Sequence, residues 1–277
     1  MKKPLYCLLL LCLLLMGCPA EEEANTAEPT PKPTPVSHWK APAEMPNAKN
    51  NPKAEQIKYG EALINRTPAY LSPSAPDASL RVAGNHLACK NCHLQGGKAV
   101  HAMGFIGIDR EYPKMYAPLN REVSLEERVE ACFKGSLNGK NLPAKERDAM
   151  VAYMRWLGSE VPESAPVPLP EAGLPALELE KNNTQGNPEM GADLYAYHCN
   201  ACHGKDGLGL VADAKDLSKG YTFPPVWGPD SYGKNSSMAN VQTAARYLHK
   251  NMPLGHTILS ESQAVAIAAY LQQQERP

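Results

Sequence analysis

Two pentapeptides carry the chemistry of this 277-residue chain: Cys89-Lys90-Asn91-Cys92-His93 and Cys199-Asn200-Ala201-Cys202-His203. Two cysteines two residues apart, followed at once by histidine, form the attachment signature of a c-type haem. The thiols add to the two vinyl groups of the porphyrin, and the adjacent imidazole becomes the proximal iron ligand. A single copy is also compatible with a redox or zinc pair. Two copies, each after a helical prelude, predict two covalently bound haem c groups, one on Cys89, Cys92 and His93 and one on Cys199, Cys202 and His203.

Cysteine counting isolates a third site. The chain has eight cysteines. Cys7, Cys12 and Cys18 belong to the N-terminal apolar stretch and four belong to haem attachment, which leaves Cys132 without a partner. A free thiol in an oxidising compartment is a liability unless it is buried, ligated or used in chemistry. Matching the two halves gives a further asymmetry. Asn251-Met252-Pro253 precedes the last helical stretch of the second half, and Asn141-Leu142-Pro143 stands at the corresponding place in the first. A thioether from that loop is a soft axial donor that raises the haem potential. Met252 is therefore the expected sixth ligand of the second iron, with Met238 the alternative and Lys250 or His249 behind it. Leu142 cannot bind iron, so the first haem needs another sixth ligand or keeps an open site, and Cys132 is near in sequence. His86, His101, His198 and His256 read as surface or hydrogen-bonded residues. Gly204 to Gly209, GKDGLG, follows a haem motif rather than a strand and reads as a loop over a haem edge, not a phosphate loop.

The elements that must position these residues are helices. YGEALINR and MGADLYAYH lead into the two motifs, the first by a longer route. In KERDAMVAYMRWLG, Met150, Met154 and Leu157 recur at helical spacing, and SESQAVAIAAYLQQQ opens on a Ser260 cap with Val265, Ala268 and Ala269 on one face. The weak repeat predicts a mainly α protein of two tandem cytochrome c-like haem domains joined by a Pro-rich linker. The domains are expected at 51–160 and 187–277, with the linker at 161–186. Aromatics at 6% and 26 prolines suit a chain whose buried apolar bulk comes partly from haem.

The N-terminus reads as an export signal. Lys2 and Lys3 precede an apolar run from Leu5 to Met16, too short to span a membrane as a mature helix. Leu15-Met16-Gly17-Cys18 resembles a bacterial lipobox, so residues 1–17 are expected to be a lipoprotein signal peptide and Cys18 the lipidated residue, with an ordinary secretory signal as the alternative. Residues 18–50, rich in Pro, Glu and Thr, read as a tether, though the part near Trp39 is also readable as an arm packed on the body. The protein is expected to be exported, on the periplasmic side, and anchored to a membrane through Cys18 rather than spanning it. With 28 basic and 29 acidic residues, nothing suggests nucleic acid.

From Tyr59 to the C-terminus, GNHLACKNCHL, SLEERVEACFKGSLNGKNLP, MVAYMRWL, YAYHCNACHGKDGLG, YTFPPVWGPDSY and NMPLG, in this order, resemble the dihaem thiosulfate dehydrogenases, or tetrathionate synthases. The resemblance implies a catalytic first haem ligated by His93 and Cys132 and an electron-transfer second haem ligated by His203 and Met252. It implies an oxidoreductase that interconverts two thiosulfates with tetrathionate and two electrons, its partners a small sulfur oxyanion and a cytochrome that takes or gives electrons. Asn251 stands where some members have Lys. Family members carry an arginine fourteen residues before the ligand cysteine, where this chain has Pro118, and an R-S-M-N-G segment that reads here Gly135-Ser136-Leu137-Asn138-Gly139. Arg128 matches a family substrate arginine. Arg121 is expected to replace the missing one, helped by Lys134 or Lys140. Two alternatives are a non-catalytic, lipid-anchored dihaem electron carrier and an enzyme of the same family acting on another small sulfur compound.

Overall fold

The stretches with helical periodicity form helices that turn an apolar face inward. The computed structural model describes residues 39–169, 173–179 and 186–277. In the first half, α1 (Ala54–Asn65) turns its Ile57, Leu63 and Ile64 face inward, and α2 (Thr67–Leu71) starts with a proline in its first turn, where a missing N–H costs nothing. A 3-10 turn at Cys89–Asn91 carries the first motif, followed by the short distorted α3 (Leu94–Gly97). An antiparallel hairpin, β1 (Lys114–Tyr116) with β2 (Arg121–Val123), leads into α4 (Leu125–Ser136). There Ser124 and Glu127 form a reciprocal capping box, Glu127 N to Ser124 Oγ at 3.2 Å and Ser124 N to Glu127 Oε2 at 2.9 Å. The half closes with α5 (Ala144–Leu157).

The second half repeats this plan. It runs α6 (Pro188–His198), α7 (Asn200–His203) with the second motif, the small pair β3 (Leu210–Val211) and β4 (Tyr221–Phe223), α8 (Val241–Asn251) and α9 (Glu261–Gln272). Ser260 and Gln263 cap α9 reciprocally, at 2.9 and 3.3 Å.

The repeat extends to how the helices cross. Gly60 of α1 lies against α5, where a Cβ would fall 1.9 Å from Ala149 O. Gly191 of α6 lies against α9, where a Cβ would fall 2.1 Å from Ala266 O. Only hydrogen at these positions lets the paired backbones approach so closely. Each half then locks its motif loop with one phenol. Tyr153 donates to Gly96 O at 3.0 Å and Tyr195 to Gly204 O at 2.7 Å.

Two hydrophobic cores follow, one around Leu63, Leu71, Met150, Tyr153 and Leu157, the other around Leu177, Tyr195, Leu248 and Ile267. Met238 packs against both. A polar seam also joins the halves. Asn85 Nδ2 donates to Ser136 O at 3.0 Å and Ser231 O at 3.1 Å, Asn138 Nδ2 reaches the same Ser231 O at 2.9 Å, and Ser136 and Ser236 hydroxyls meet at 2.9 Å. His86 Nδ1 faces both oxygens of Asp230 at 3.0 Å, and Tyr221 donates to Asp230 Oδ2 at 2.7 Å.

Ser37–Pro277 accordingly forms one compact unit; the boundary expected near 161–186 is a change of core. Of the expected linker, 170–172 and 180–185 lie outside the described residues. Its described part packs down, with Ala165, Leu169 and Leu177 buried and Arg110 donating to Glu163 O and Ala165 O at 2.9 Å. Ala41 and Met45 of the expected tether rest on the first core, as the packed-arm reading had it. The expected signal peptide, Cys18 and the expected tether up to residue 38 lie outside the described residues. Among the described residues no helix is long and apolar enough to cross a membrane.

Candidate functional site

Arg128 and Cys132 are four residues apart on α4, which puts them on one helix face. The Arg128 Nη1–H donates to Cys132 Sγ at 2.8 Å. The capping box at Ser124 starts the helix at a fixed register, and Phe133, buried beside Cys132, holds its inner face. Tyr116 from β1 covers the guanidinium, its ring centroid 5.7 Å from Arg128 Cζ. Burial works against the charge of Arg128, while the Cys132 sulfur and the Tyr112 and Tyr116 phenols favour it; the balance holds the guanidinium above its usual pKa.

The same cavity, about 290 Å³, also takes in Cys89, Cys92 and His93. His93 donates its Nδ1–H to Met103 O at 2.6 Å, which leaves Nε2 as the atom for a metal. His101 and Met103 both take positive φ, 55° and 53°, in the turn that presents this carbonyl. Burial, opposed by the bond to Met103 and assisted by the charge of Arg128, lowers His93 to about 4, so its ring is neutral at pH 7. Burial raises Cys89 to about 11 against the hydrogen bond from Thr67 at 3.4 Å. It raises Cys92 to about 12. The remaining walls are mostly apolar, among them Ile64, Leu87, Phe133, Leu137, Met150 and Met154.

This donor set fits a haem c. Two neutral thiols stand ready for thioether bonds, a neutral imidazole has its Nε2 free, a sulfur on α4 shares the cavity, and apolar walls suit the macrocycle.

At the second motif, His203 donates Nδ1–H to Pro224 O at 2.7 Å, the counterpart of His93 and Met103. Burial lowers His203 against that bond and raises Cys199 to about 11. Cys202 is exposed. Met252 is half-buried at the end of α8 and packs on the second core. Leu142, its counterpart, is buried in the first core, 4% exposed. Gly207 of the GKDGLG loop, at φ 65°, lies on the ring of Trp227, where a Cβ would sit 2.2 Å from the indole.

The structure brings together Cys89, Cys92, His93, Arg128 and Cys132. It does not bring Arg121 to them. Arg121 grips Glu127 instead, Nη2 to Oε1 at 2.7 Å and Nη1 to Oε2 at 3.2 Å, with its side chain 53% exposed. Glu127 is fixed by the helix cap, so the arginine is drawn to the outer side of the hairpin and does not line the cavity. Lys134 is likewise paired, with Glu130 at 3.3 Å. Met238, the alternative ligand for the second haem, lines the first cavity. Lys250 and His249 close α8, with His249 Nδ1 on Leu259 O at 2.8 Å. Gly135 has a structural reason: a Cβ there would lie 2.6 Å from Asn235 O, inside the seam. No side chain fits at 135 while that seam is closed. Tyr112, Tyr232 and Met238 line the cavity without any motif that marks them.

Residues 186–271 match the family model described as Cytochrome C oxidase, cbb3-type, subunit III. The chain is 36% identical to the thiosulfate dehydrogenase of Allochromatium vinosum, over 80% of this chain and 79% of that protein. It is 31% identical to that of Stutzerimonas stutzeri, over 87% of this chain and 74% of the relative. Among solved structures it is similar to the thiosulfate dehydrogenase TsdBA of Marichromatium purpuratum, with a TM-score of 0.73 and 30% identity over 87% of this chain. It spans 50% of that longer chain. At this identity and coverage, with a cysteine and an arginine sharing one cavity with a haem-attachment motif, the chain belongs to the thiosulfate dehydrogenase family.

Proposed function

We propose that this protein is a dihaem c-type cytochrome that interconverts thiosulfate and tetrathionate at Cys132. The observation that carries the reading is the 2.8 Å contact of Arg128 with Cys132 inside the cavity of the first attachment motif. Cys89, Cys92 and His93 would hold one haem and Cys199, Cys202 and His203 the other, with Cys132 and Met252 as the sixth ligands. When bound, the two haems would supply acceptors for the two electrons that the reaction releases.

The Cys132 thiolate and the outer sulfur of one thiosulfate form an S–S bond, giving up two electrons and leaving a thiosulfonate on the cysteine. The outer sulfur of a second thiosulfate then attacks the sulfur bearing the sulfonate, and tetrathionate leaves as the thiolate returns. No proton is needed in either step. Both steps bring anions together, and the Arg128 guanidinium, held charged in partly apolar surroundings, offsets that repulsion. Run backwards, the same steps reduce tetrathionate. Electrons leave or enter through the second half and a partner cytochrome. The exported, lipid-anchored setting read from Leu15 to Cys18 belongs to the same proposal, since haem c and a soluble sulfur anion would meet in the periplasm.

The test is steady-state turnover in both directions, thiosulfate with an oxidised acceptor and tetrathionate with a reduced donor, for the wild type and Cys132→Ala. Turnover by the wild type alone is the expected result. A variant of full activity would remove Cys132 from the mechanism, and an inactive wild type whose haems still exchange electrons would make the protein a carrier.

A further inference from the structure

Most polar side chains around the first cavity already have partners. The Ser136 hydroxyl meets Ser236 at 2.9 Å, Glu111 is held by Lys114 at 2.7 Å, and Arg128 gives one of its N–H donors to Cys132. Tyr112 differs. It is half-buried, lines the cavity and rests its ring on the first core, yet its hydroxyl has no protein hydrogen-bond partner among the described residues. Its phenol lies near enough to Arg128 and Cys132 for each to act on it electrostatically. The hydroxyl is not one of the buried side-chain atoms left without a partner, so solvent reaches it and it is a donor that an incoming anion can take from water.

We infer that the Tyr112 hydroxyl and the unused N–H groups of Arg128 form a sulfonate subsite beside Cys132, and that Tyr112 is a binding residue for the tetrahedral oxyanion end of the substrate. The inference rests on the thiosulfate reading above. The two donors divide the task. The guanidinium answers the charge of the anion, and the neutral phenol fixes its orientation without adding a second cation beside the sulfur. With the sulfonate oxygens held there, the outer sulfur of thiosulfate is the atom left to face Cys132 Sγ. Both S–S bond-forming steps need that orientation.

The experiment uses the full-length holoprotein with Tyr112→Phe, which keeps the ring and removes only the hydroxyl. The KM for thiosulfate is expected to rise about tenfold or more, the loss of one hydrogen bond to a charged ligand, with kcat changed by less than about threefold. Thiosulfate titrated into the oxidised protein, followed by the absorption change of the haem, should show a Kd weakened by the same factor. The substrate-free spectrum should stay that of the wild type. Tyr197→Phe is the control: this tyrosine is exposed and does not line the cavity, and its change should leave KM and Kd unchanged. Unaltered KM and Kd in Tyr112→Phe, with an active wild type, overturn the subsite and leave the function standing. An inactive wild type overturns both.

Discussion

The two attachment sites share a frame and differ in what is set against it. In each, a glycine lets the leading helix touch the closing helix, a histidine gives its Nδ1–H to a backbone carbonyl, and a tyrosine ties down the motif loop. In the first, α4 brings Cys132 and Arg128 into the cavity and the hairpin covers the arginine with Tyr116. In the second, Met252 stands half-buried at a helix end, and Cys202 is exposed, as are Leu254 and Ile258 nearby at 65% and 50%. The frame is thus indifferent to chemistry. The two sites differ in the segment between the motif and the closing helix, where the first half sets a sulfur beside a covered arginine and the second leaves an exposed edge.

That contrast can be broken most severely at Cys132. Cys132→Met should turn the first site into a copy of the second: the spectra of the two haems converge, and turnover falls at least about a thousandfold. A variant that keeps its activity would show that the thiolate is dispensable. Arg128→Ala should lower kcat by about a hundredfold to a thousandfold while both haems remain attached. An unchanged kcat would reduce Arg128 to a packing residue.

The shared frame is tested next. Gly60→Ala and Gly191→Ala each place a methyl group against a backbone carbonyl and should destabilise the fold by about 1–3 kcal/mol, read as a lower midpoint in thermal or denaturant unfolding. Equal losses support a common frame, and a loss at one glycine alone would break it. Met252→Leu should lower the reduction potential of one haem and leave the other in place, as potentiometric titration would resolve. A shift of both would mean the sites are not separable.

The smallest effect is alkaline. Tyr153 and Tyr195 are both held above the ordinary phenol value by burial. The unfolded chain loses these protons first, so their contribution is complete below about pH 10 and falls as the pH climbs further. Replacing both with Phe should flatten the decline seen in pH-dependent unfolding. An equally steep decline would assign it to other groups.

Much of this was legible because the haem motifs are local. CKNCH and CNACH need five consecutive residues each, and Cys132 stood out once the other cysteines had been assigned. The cap at Ser260 was also readable, since a cap is set within one turn, whereas the one at Ser124 was found only in the structure. What escaped was brought together from afar. Arg121 was expected to replace the family arginine missing at Pro118, but Glu127, six residues on and held by its own cap, takes it. Met238 reaches the first cavity from the second half, and the seam joins Asn85 to a carbonyl 146 residues away. No periodicity encodes such meetings. The segment at 161–186 read as a Pro-rich linker because its apolar residues, Leu169 and Leu177 among them, show no period and reveal their burial only against a folded body.

Gly135 limits how this chain can change. With its α-carbon against the carbonyl of Asn235, the position works as a ratchet. An arginine could be placed there only if residues 233–236 moved aside first, and each intermediate sequence would carry the steric penalty without yet gaining a guanidinium at the site. Sequence change around this cavity is therefore far easier at neighbouring residues than at this one.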